Sequence, residues 1–364
     1  MRNLSTEQHS LSMAEFHVIK DQNHAVKNQK NHTEDKNMAN IHKSITEIVG
    51  HTPLVELTNY NRNNNLKATL IGKLEYLNPT GSVKDRAALN MIEKAEAEGK
   101  LKPGGTIVES TSGNTGISLA AFAAAKGYHL HIFMEPGCTP ERVQILKAYG
   151  VTVQYYQDIP GFNEIIANYG FDKERIIAAM KKFCDDNGYY YTSQLTNDAN
   201  WQAHIKSTGP EIVEDTDGDI DYAVMLAGTA GTLTGVGKYL QEHIEGIKIV
   251  GVQPTLDSMY KPGEDRDTID GVVHFDNDGV CGHPFVVKND FHYDEVIDVD
   301  GSETYETARE LATSDGIFLG ASAAAAVLAA KQLALRDENE GKKILVILPD
   351  DGMKYLSTRM YRFE

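Results

Sequence analysis

From about residue 41 the chain alternates short apolar runs rich in Val and Ile with longer segments of Ala, Leu, Lys and Glu. The short runs have the length and β-branched content of strands, and the longer ones the composition of helices. The pattern predicts strands at Thr106–Glu109, His129–Met134, Thr152–Tyr156, Tyr222–Ala227, Lys248–Val252 and Lys343–Leu348. It predicts helices at Asp85–Glu98, Asn114–Lys126, Pro140–Tyr149, Lys173–Asn187 and Ser322–Arg336. Strand, turn, helix and strand in this order imply βαβ units and mainly parallel sheets, hence an α/β fold. Two predicted strands run directly into loops of Gly, Ser and Thr, at 109–116 and 227–235. Ligands of open α/β sheets sit at the carboxyl ends of strands, so chemistry is sought in these loops. No internal repeat is evident.

Residues 1–40 break the pattern. They hold no Gly, Pro or Cys, a single aromatic (Phe16), and four scattered histidines, His9, His17, His24 and His32. Their spacing matches no ligand pattern, so a solvated, disordered extension is expected rather than a metal-binding tail. Met38 opens a stretch that reads as an alternative start. The 364 residues suggest roughly two domains. The expected division is 41–195, a smaller α/β domain whose start crosses to the other, and 196–364, a larger one. A net charge of −17 argues against nucleic acid or an anionic membrane surface as the main partner. Three cysteines, Cys138, Cys184 and Cys281, with no Cys-x-x-Cys disfavour a disulfide scaffold or zinc ribbon and fit a reducing cytoplasm. No apolar run approaches the length of a membrane span, and no secretory or transit signal is recognisable.

Common catalytic signatures are missing: no Gly-Lys-Ser/Thr of a P-loop, no His-Glu-x-x-His, and Ala324 where a serine-hydrolase elbow needs Gly. Four segments remain. Asn78-Pro-Thr-Gly-Ser-Val-Lys-Asp-Arg86 sets a lysine between a turn and a helix. A partly desolvated amine there can form a Schiff base, although most loop lysines are solvated charges. Ser110-Thr-Ser-Gly-Asn-Thr-Gly116 is dense in hydroxyls at a helix start and suits a carboxylate; an ordinary N-cap would need one such residue. Gly228-Thr-Ala-Gly-Thr232 lets backbone approach a phosphate. With no lysine beside it, a phosphate monoester fits better than a nucleoside triphosphate; the bland alternative is a tight strand-to-helix turn. Gly316-Ile-Phe-Leu-Gly-Ala-Ser322 ends on a serine that could cap its helix or meet a ring nitrogen.

Together and in this order the four segments closely resemble the pyridoxal-phosphate enzymes of fold type II, in particular the cysteine synthase (O-acetylserine sulfhydrylase) and cystathionine β-synthase family. Gly50-His-Thr-Pro-Leu-Val-Glu-Leu57, Leu348-Pro-Asp-Asp-Gly352 and Tyr355-Leu-Ser-Thr358 extend the resemblance over about 41–360. It implies two three-layer α/β domains of tryptophan-synthase-β-like type and pyridoxal 5'-phosphate as cofactor. Lys84 corresponds to the lysine that bonds the cofactor. Asn114 corresponds to the partner of its ring hydroxyl, Gly228, Thr229, Ala230, Gly231 and Thr232 to its phosphate cradle, and Ser322 to the partner of its pyridine nitrogen. Thr111, Ser112, Asn114 and Thr115 correspond to the loop on the substrate carboxylate. Gln194 corresponds to a further carboxylate contact. A serine at the ring nitrogen leaves it unprotonated, which suits β-elimination over transamination. The implied reaction is β-replacement on an activated L-serine, O-acetylserine, by sulfide, through an α-aminoacrylate, to L-cysteine. Lys84 would carry the α-proton.

Three departures bear on this. Ala230 stands where the family usually has Gly, tolerable if φ is below zero. Asp270–Phe275 replaces the usual Gly-Ile-Gly stretch and bears on the second-substrate pocket. Ala323-Ala-Ala follows Ser322. Cystathionine synthesis, or hydrogen sulfide release from cysteine, is the enzymatic alternative; a non-catalytic binding protein and a dehydratase are more distant ones. The resemblance also implies a homodimer and raises the C-terminus of serine acetyltransferase as a partner. No metal is expected.

Overall fold

The computed structural model describes residues 41–135, 138–259, 266–272, 274–275 and 284–363. The chain divides into Met1–Lys43 and Ser44–Glu364, and the second unit holds every element below. The expected extension with its histidines and Met38, together with Cys281 and Val273, lies outside the described residues.

Among the described residues ten strands are formed: β1 (Leu54–Glu56), β2 (Thr69–Leu74), β3 (Thr106–Ser110), β4 (His129–Met134), β5 (Thr152–Tyr155), β6 (Tyr190–Tyr191), β7 (Tyr222–Leu226), β8 (Lys248–Pro254), β9 (Glu295–Val299) and β10 (Lys343–Leu348). They build a six-stranded sheet in the order β1-β2-β10-β7-β8-β9 and a four-stranded sheet in the order β5-β4-β3-β6. Every pairing is parallel except β1 with β2. Strands β1 and β2 precede the smaller sheet in sequence yet belong to the larger one.

Alternation along the strands makes each sheet the middle of three layers. In the larger sheet Val224, Val250, Val346 and Leu348 pack with the helix Ala321–Ala334. Their neighbours Ala223, Met225, Leu345 and Ile347 face the other way, onto the helix Gly231–His243. In the smaller sheet Ile107 and Ile132 pack with the helices Lys84–Ala97 and Asn114–Lys126. Val108 and Phe133 pack with Ile176, Met180 and Cys184 of the helix Lys173–Asn187. A strand covered on both faces reads as a continuous apolar run, which is why β10 was visible in the sequence.

Four helices begin where a strand or turn delivers the chain to one place. The helix Lys84–Ala97 follows β2, Asn114–Lys126 follows β3, Gly231–His243 follows β7, and Ala321–Ala334 precedes β10. Isolated bridges join Ser82 to Asp350 and Leu319 to Asp351, tying the loops before Lys84 and Ser322 to the segment after β10. Among the described residues no helix is long and apolar enough to cross a membrane.

Candidate active site

The loops gathered at these helix starts enclose a cavity of about 920 Å³, ample for a small cofactor with an amino acid. Its wall contains Lys84, Thr111, Ser112, Asn114, Thr115, Gln194, Gly228, Thr229, Thr232 and Ser322. Of the residues singled out in the sequence, Ala230 and Gly231 do not reach this wall; Ala230 is packed in the core behind it.

Lys84 is the first residue of its helix. The turn before it needs Gly81, whose φ is +78° and whose Cβ would lie 3.1 Å from Asp351 Oδ2 and 3.2 Å from Lys354 Nζ. Around the lysine the chain is pinned. Val83 N–H donates to Pro349 O at 2.8 Å, Thr80 N–H to Asp85 Oδ2 at 2.7 Å, and Lys354 Nζ to Gly81 O at 2.9 Å. The Lys84 ammonium itself makes no ion pair among the described residues. Burial pulls its pKa down from the usual lysine value, against the opposing charge of Asp350.

Asn114 is likewise a first helical residue. Its helix is capped by Gly113 with no side-chain cap bond, so Asn114 is not an ordinary N-cap. Its Nδ2 donates to Asp350 Oδ2 at 2.8 Å, and the same oxygen accepts from Tyr355 Oη at 2.8 Å. Asn114 Oδ1 and Asp350 Oδ1 are buried without a protein partner. Thr115 Oγ1 donates to Gln194 Oε1 at 2.6 Å, which brings the two expected carboxylate contacts together. Glu109 holds Gln194 there. Its buried carboxylate accepts from Gln194 N at 2.9 Å, Thr192 Oγ1 at 2.6 Å and Ser110 N at 2.8 Å. Burial nevertheless pushes it up to about 7. Ser322 is the second residue of a helix whose cap is Gly320, so it too is free of a capping role.

The 228–232 loop is shaped by close approaches. A Cβ on Gly228 would lie 2.4 Å from Gly271 O, and one on Gly231 2.1 Å from Asn200 Oδ1. Thr229 Oγ1 accepts from Asn200 Nδ2 at 3.0 Å and Gly231 N at 3.2 Å, leaving its own O–H to donate into the cavity. Ala230 has φ +60° and ψ +12°. The condition under which its methyl group is strain-free therefore fails: the residue sits in the left-handed region, which an L side chain enters at a cost of about 1–2 kcal/mol.

The family model for pyridoxal-phosphate-dependent enzymes matches residues 45–350. The chain belongs to that family. It is 40% identical over 323 residues to a cysteine synthase from Staphylococcus aureus, covering 88% of this chain and 97% of that protein. Among solved structures it is similar to a cysteine synthase of Entamoeba histolytica, with TM-score 0.75, 36% identity and coverage of 90% and 92%. It is also similar to a hydrogen sulfide-producing enzyme of Fusobacterium nucleatum, with TM-score 0.74, 31% identity and coverage of 88% and 99%.

As a member of the family the chain depends on pyridoxal phosphate, and the site fits that group. Lys84 offers an amine of lowered pKa, the orphaned Asn114 Oδ1 awaits a polar partner, and the glycines at 228 and 231 let the loop pack against Gly271 O and Asn200 with the Thr229 and Thr232 hydroxyls on the cavity. Sequence reasoning missed several residues in the wall or directly behind it. Arg142 is buried with Nε unpartnered, and its Nη1 lies 3.7 Å from Asp270 Oδ2. Burial raises the Asp270 carboxyl above its usual range. Asp350 and Tyr355 lay inside segments quoted for their resemblance, and a carboxylate next to the Pro-Asp-Asp-Gly turn was the available signal. Arg142 carried none beyond its place at a helix start.

Proposed function

We propose that this protein catalyses β-replacement on O-acetylserine by sulfide, giving L-cysteine and acetate. The observation that carries the reading is the meeting of the unpaired Lys84 amine with the Thr111–Thr115 loop and Gln194 in one cavity. The likeness to cysteine synthases supports it. When bound, the cofactor supplies the electron sink for charge developing at the substrate α-carbon. Thr111, Ser112, Asn114, Thr115 and Gln194 orient the substrate carboxylate through neutral donors. Lys84, free of any ion pair among the described residues, takes the α-proton and returns it after the nucleophile has added at the β-carbon. Gly228, Thr229, Ala230, Gly231 and Thr232 hold the phosphate, and Ser322 meets the pyridine nitrogen.

A second reading, release of hydrogen sulfide from cysteine, is favoured by Asp270. This carboxylate lines the cavity within the segment that replaces the family's usual stretch, and burial, which holds its carboxyl above the usual range, suits it to give a proton to the departing sulfide. The test is a steady-state comparison of O-acetylserine, serine, O-phosphoserine and cysteine, each with sulfide or homocysteine. Highest kcat/KM for O-acetylserine with sulfide supports the first reading. Faster sulfide release from cysteine alone selects the second.

The same resemblance carries a division into domains at 41–195 and 196–364, with β1 and β2 crossing to the larger sheet. It also carries a homodimer and the serine acetyltransferase C-terminus as a partner, while the cysteine usage carries a cytoplasmic setting. Gel filtration with and without that peptide checks the last two associations.

A further inference from the structure

Behind the 228–232 loop lies a histidine that the reaction does not use. His204 belongs to the helix Ala199–Lys206 and is 1% exposed. The helix Gly231–His243 crosses it closely at Gly235, where a Cβ would lie 2.3 Å from Trp201 O and 2.7 Å from His204 Cβ. That approach sets the imidazole between two threonines. Its Nε2 is 3.2 Å from Thr232 Oγ1 and its Nδ1 is 2.9 Å from Thr208 Oγ1. Thr208 is fully buried, whereas Thr232 opens on the cavity.

A neutral imidazole carries one N–H, so one of its two contacts is donated and the other accepted. Burial, reinforced by the charges of Arg86 and Lys84 and opposed by Glu211, keeps His204 in that neutral form. If Nδ1 held the proton, Nε2 would accept a hydrogen bond from the Thr232 hydroxyl, and Thr232 would turn lone pairs toward a bound anion. If Nε2 holds it, Thr232 accepts from His204 and its O–H is left to donate into the cavity. Thr229 has the same arrangement through Asn200 Nδ2 and Gly231 N.

We propose that His204 is a positioning residue: Thr208 donates to its Nδ1, its Nε2–H donates to Thr232, and Thr232 is thereby fixed as a donor to a phosphate monoester. The chain of three donors is polarised in one direction, which strengthens its last bond. The inference rests on reading Gly228–Thr232 as the phosphate cradle, and the experiment separates the two.

The test measures loss of pyridoxal phosphate from the holoenzyme, by dialysis and cofactor fluorescence, beside the affinity for pyridoxal, which lacks the phosphate. A glutamine amide can take the place of Nε2, and an asparagine amide that of Nδ1. His204→Asn and Thr208→Val are expected to weaken pyridoxal phosphate by about tenfold to a hundredfold, the span of one hydrogen bond to a charged group. Pyridoxal affinity should be unchanged, and His204→Gln should stay within about threefold of the parent. Parent-like retention by His204→Asn overturns the inference, as does an equal loss in His204→Asn and His204→Gln or a parallel loss of pyridoxal. If His204→Asn fails to fold by circular dichroism, Thr208→Val decides, and parent-like affinity there overturns it. Thr232→Val is the control for the cradle. No effect from it overturns the cradle reading itself, whereas a loss there with none in His204→Asn overturns only the role of His204.

Discussion

Replacing Glu211 by Gln should cost about 3 kcal/mol at neutral pH, and less in acid. Arg86 lies two residues past Lys84 and anchors the helix that carries it. Its Nη1 and Nη2 donate to the two Glu211 oxygens at 2.6 and 2.7 Å, and its Nε and Nη2 to Glu75 at 2.7 and 2.8 Å. Lys73 Nζ stands 3.0 Å from Glu211 Oε2. Two cations and two carboxylates thus face one another almost out of contact with water, with the more exposed Asp215 Oδ2 3.6 Å from Lys73 Nζ at the edge. Removing one partner of such a set leaves a buried charge uncompensated, at a typical cost of about 3–5 kcal/mol. A second route gives the same size. Burial alone would raise the Glu211 carboxyl, but the hydrogen bonds and charge of Arg86, with His51 N–H and Lys73, outweigh it and hold the group at about 2 against an ordinary 4.5. At about 1.36 kcal/mol per pH unit that gap is worth roughly 3 kcal/mol.

The sign follows from proton binding. Unfolded Glu211 takes up its proton near 4.5 and folded Glu211 only near 2. Between these values the unfolded chain binds more protons, so stability falls as the pH drops, while above about pH 5 the contribution is complete. Urea unfolding followed by circular dichroism at pH 7 and pH 3 measures both. The parent should exceed Glu211→Gln by about 3 kcal/mol at pH 7, and the difference should shrink by about half at pH 3. A variant within about 0.5 kcal/mol of the parent at pH 7, or a difference that does not change with pH, would refute the reasoning.

Three further outcomes are expected. Lys84→Ala should lose the visible absorption of bound cofactor and reduce turnover about 10²–10⁴-fold, with its cofactor-free form melting no lower than the cofactor-free parent, since the ammonium makes no ion pair among the described residues; full turnover would sink its role as the proton carrier. Glu109, lifted by burial to about 7 from 4.5, keeps a proton that the unfolded chain releases, so stability should fall as pH rises through that window. Glu109→Gln should remove this slope, seen in urea midpoints at pH 5 and pH 8. Ala230→Gly should raise stability by up to about 1 kcal/mol, because relief of the left-handed conformation exceeds the lost methyl contact; a lower urea midpoint would contradict it.

How much of this was legible in the sequence depended on burial from both sides. β4 and β10 have the predicted ends; β10 is apolar from Ile344 to Leu348 because helices cover both its faces, and β4 ends in the buried run Ile132-Phe-Met134. β1 is three residues and partly exposed, and β6 has two, so neither has a pattern to read. The chemistry-bearing loops were visible because Gly, Ser and Thr crowd where a helix begins. The groups that brace them were not. Glu109, Asp350, Arg86 and His204 are ordinary polar letters until the fold sets their partners, which for Asp350 and Asn114 stand 236 positions apart. Ala230 shows the reverse limit: its identity was noticed, but its strain depends on a φ that only the structure gives.

A net charge of −17 would seem to repel a phosphate and a carboxylate. The structure resolves this by position. Lys84, Asn114 and Gly231 are each the first residue of a helix, and Ser322 is the second of another. Helix starts present free N–H groups and the positive end of the backbone dipole, worth about half a charge each, at the point where an anion would sit. Two nearby cations are occupied elsewhere, Lys73 and Arg86 being locked to Glu75 and Glu211, while Arg142 in the wall faces Asp270. Neutral donors at the helix starts leave the Lys84 amine without an ion pair among the described residues, with Asp350 acting on it only as a nearby charge, so it can give and take a proton.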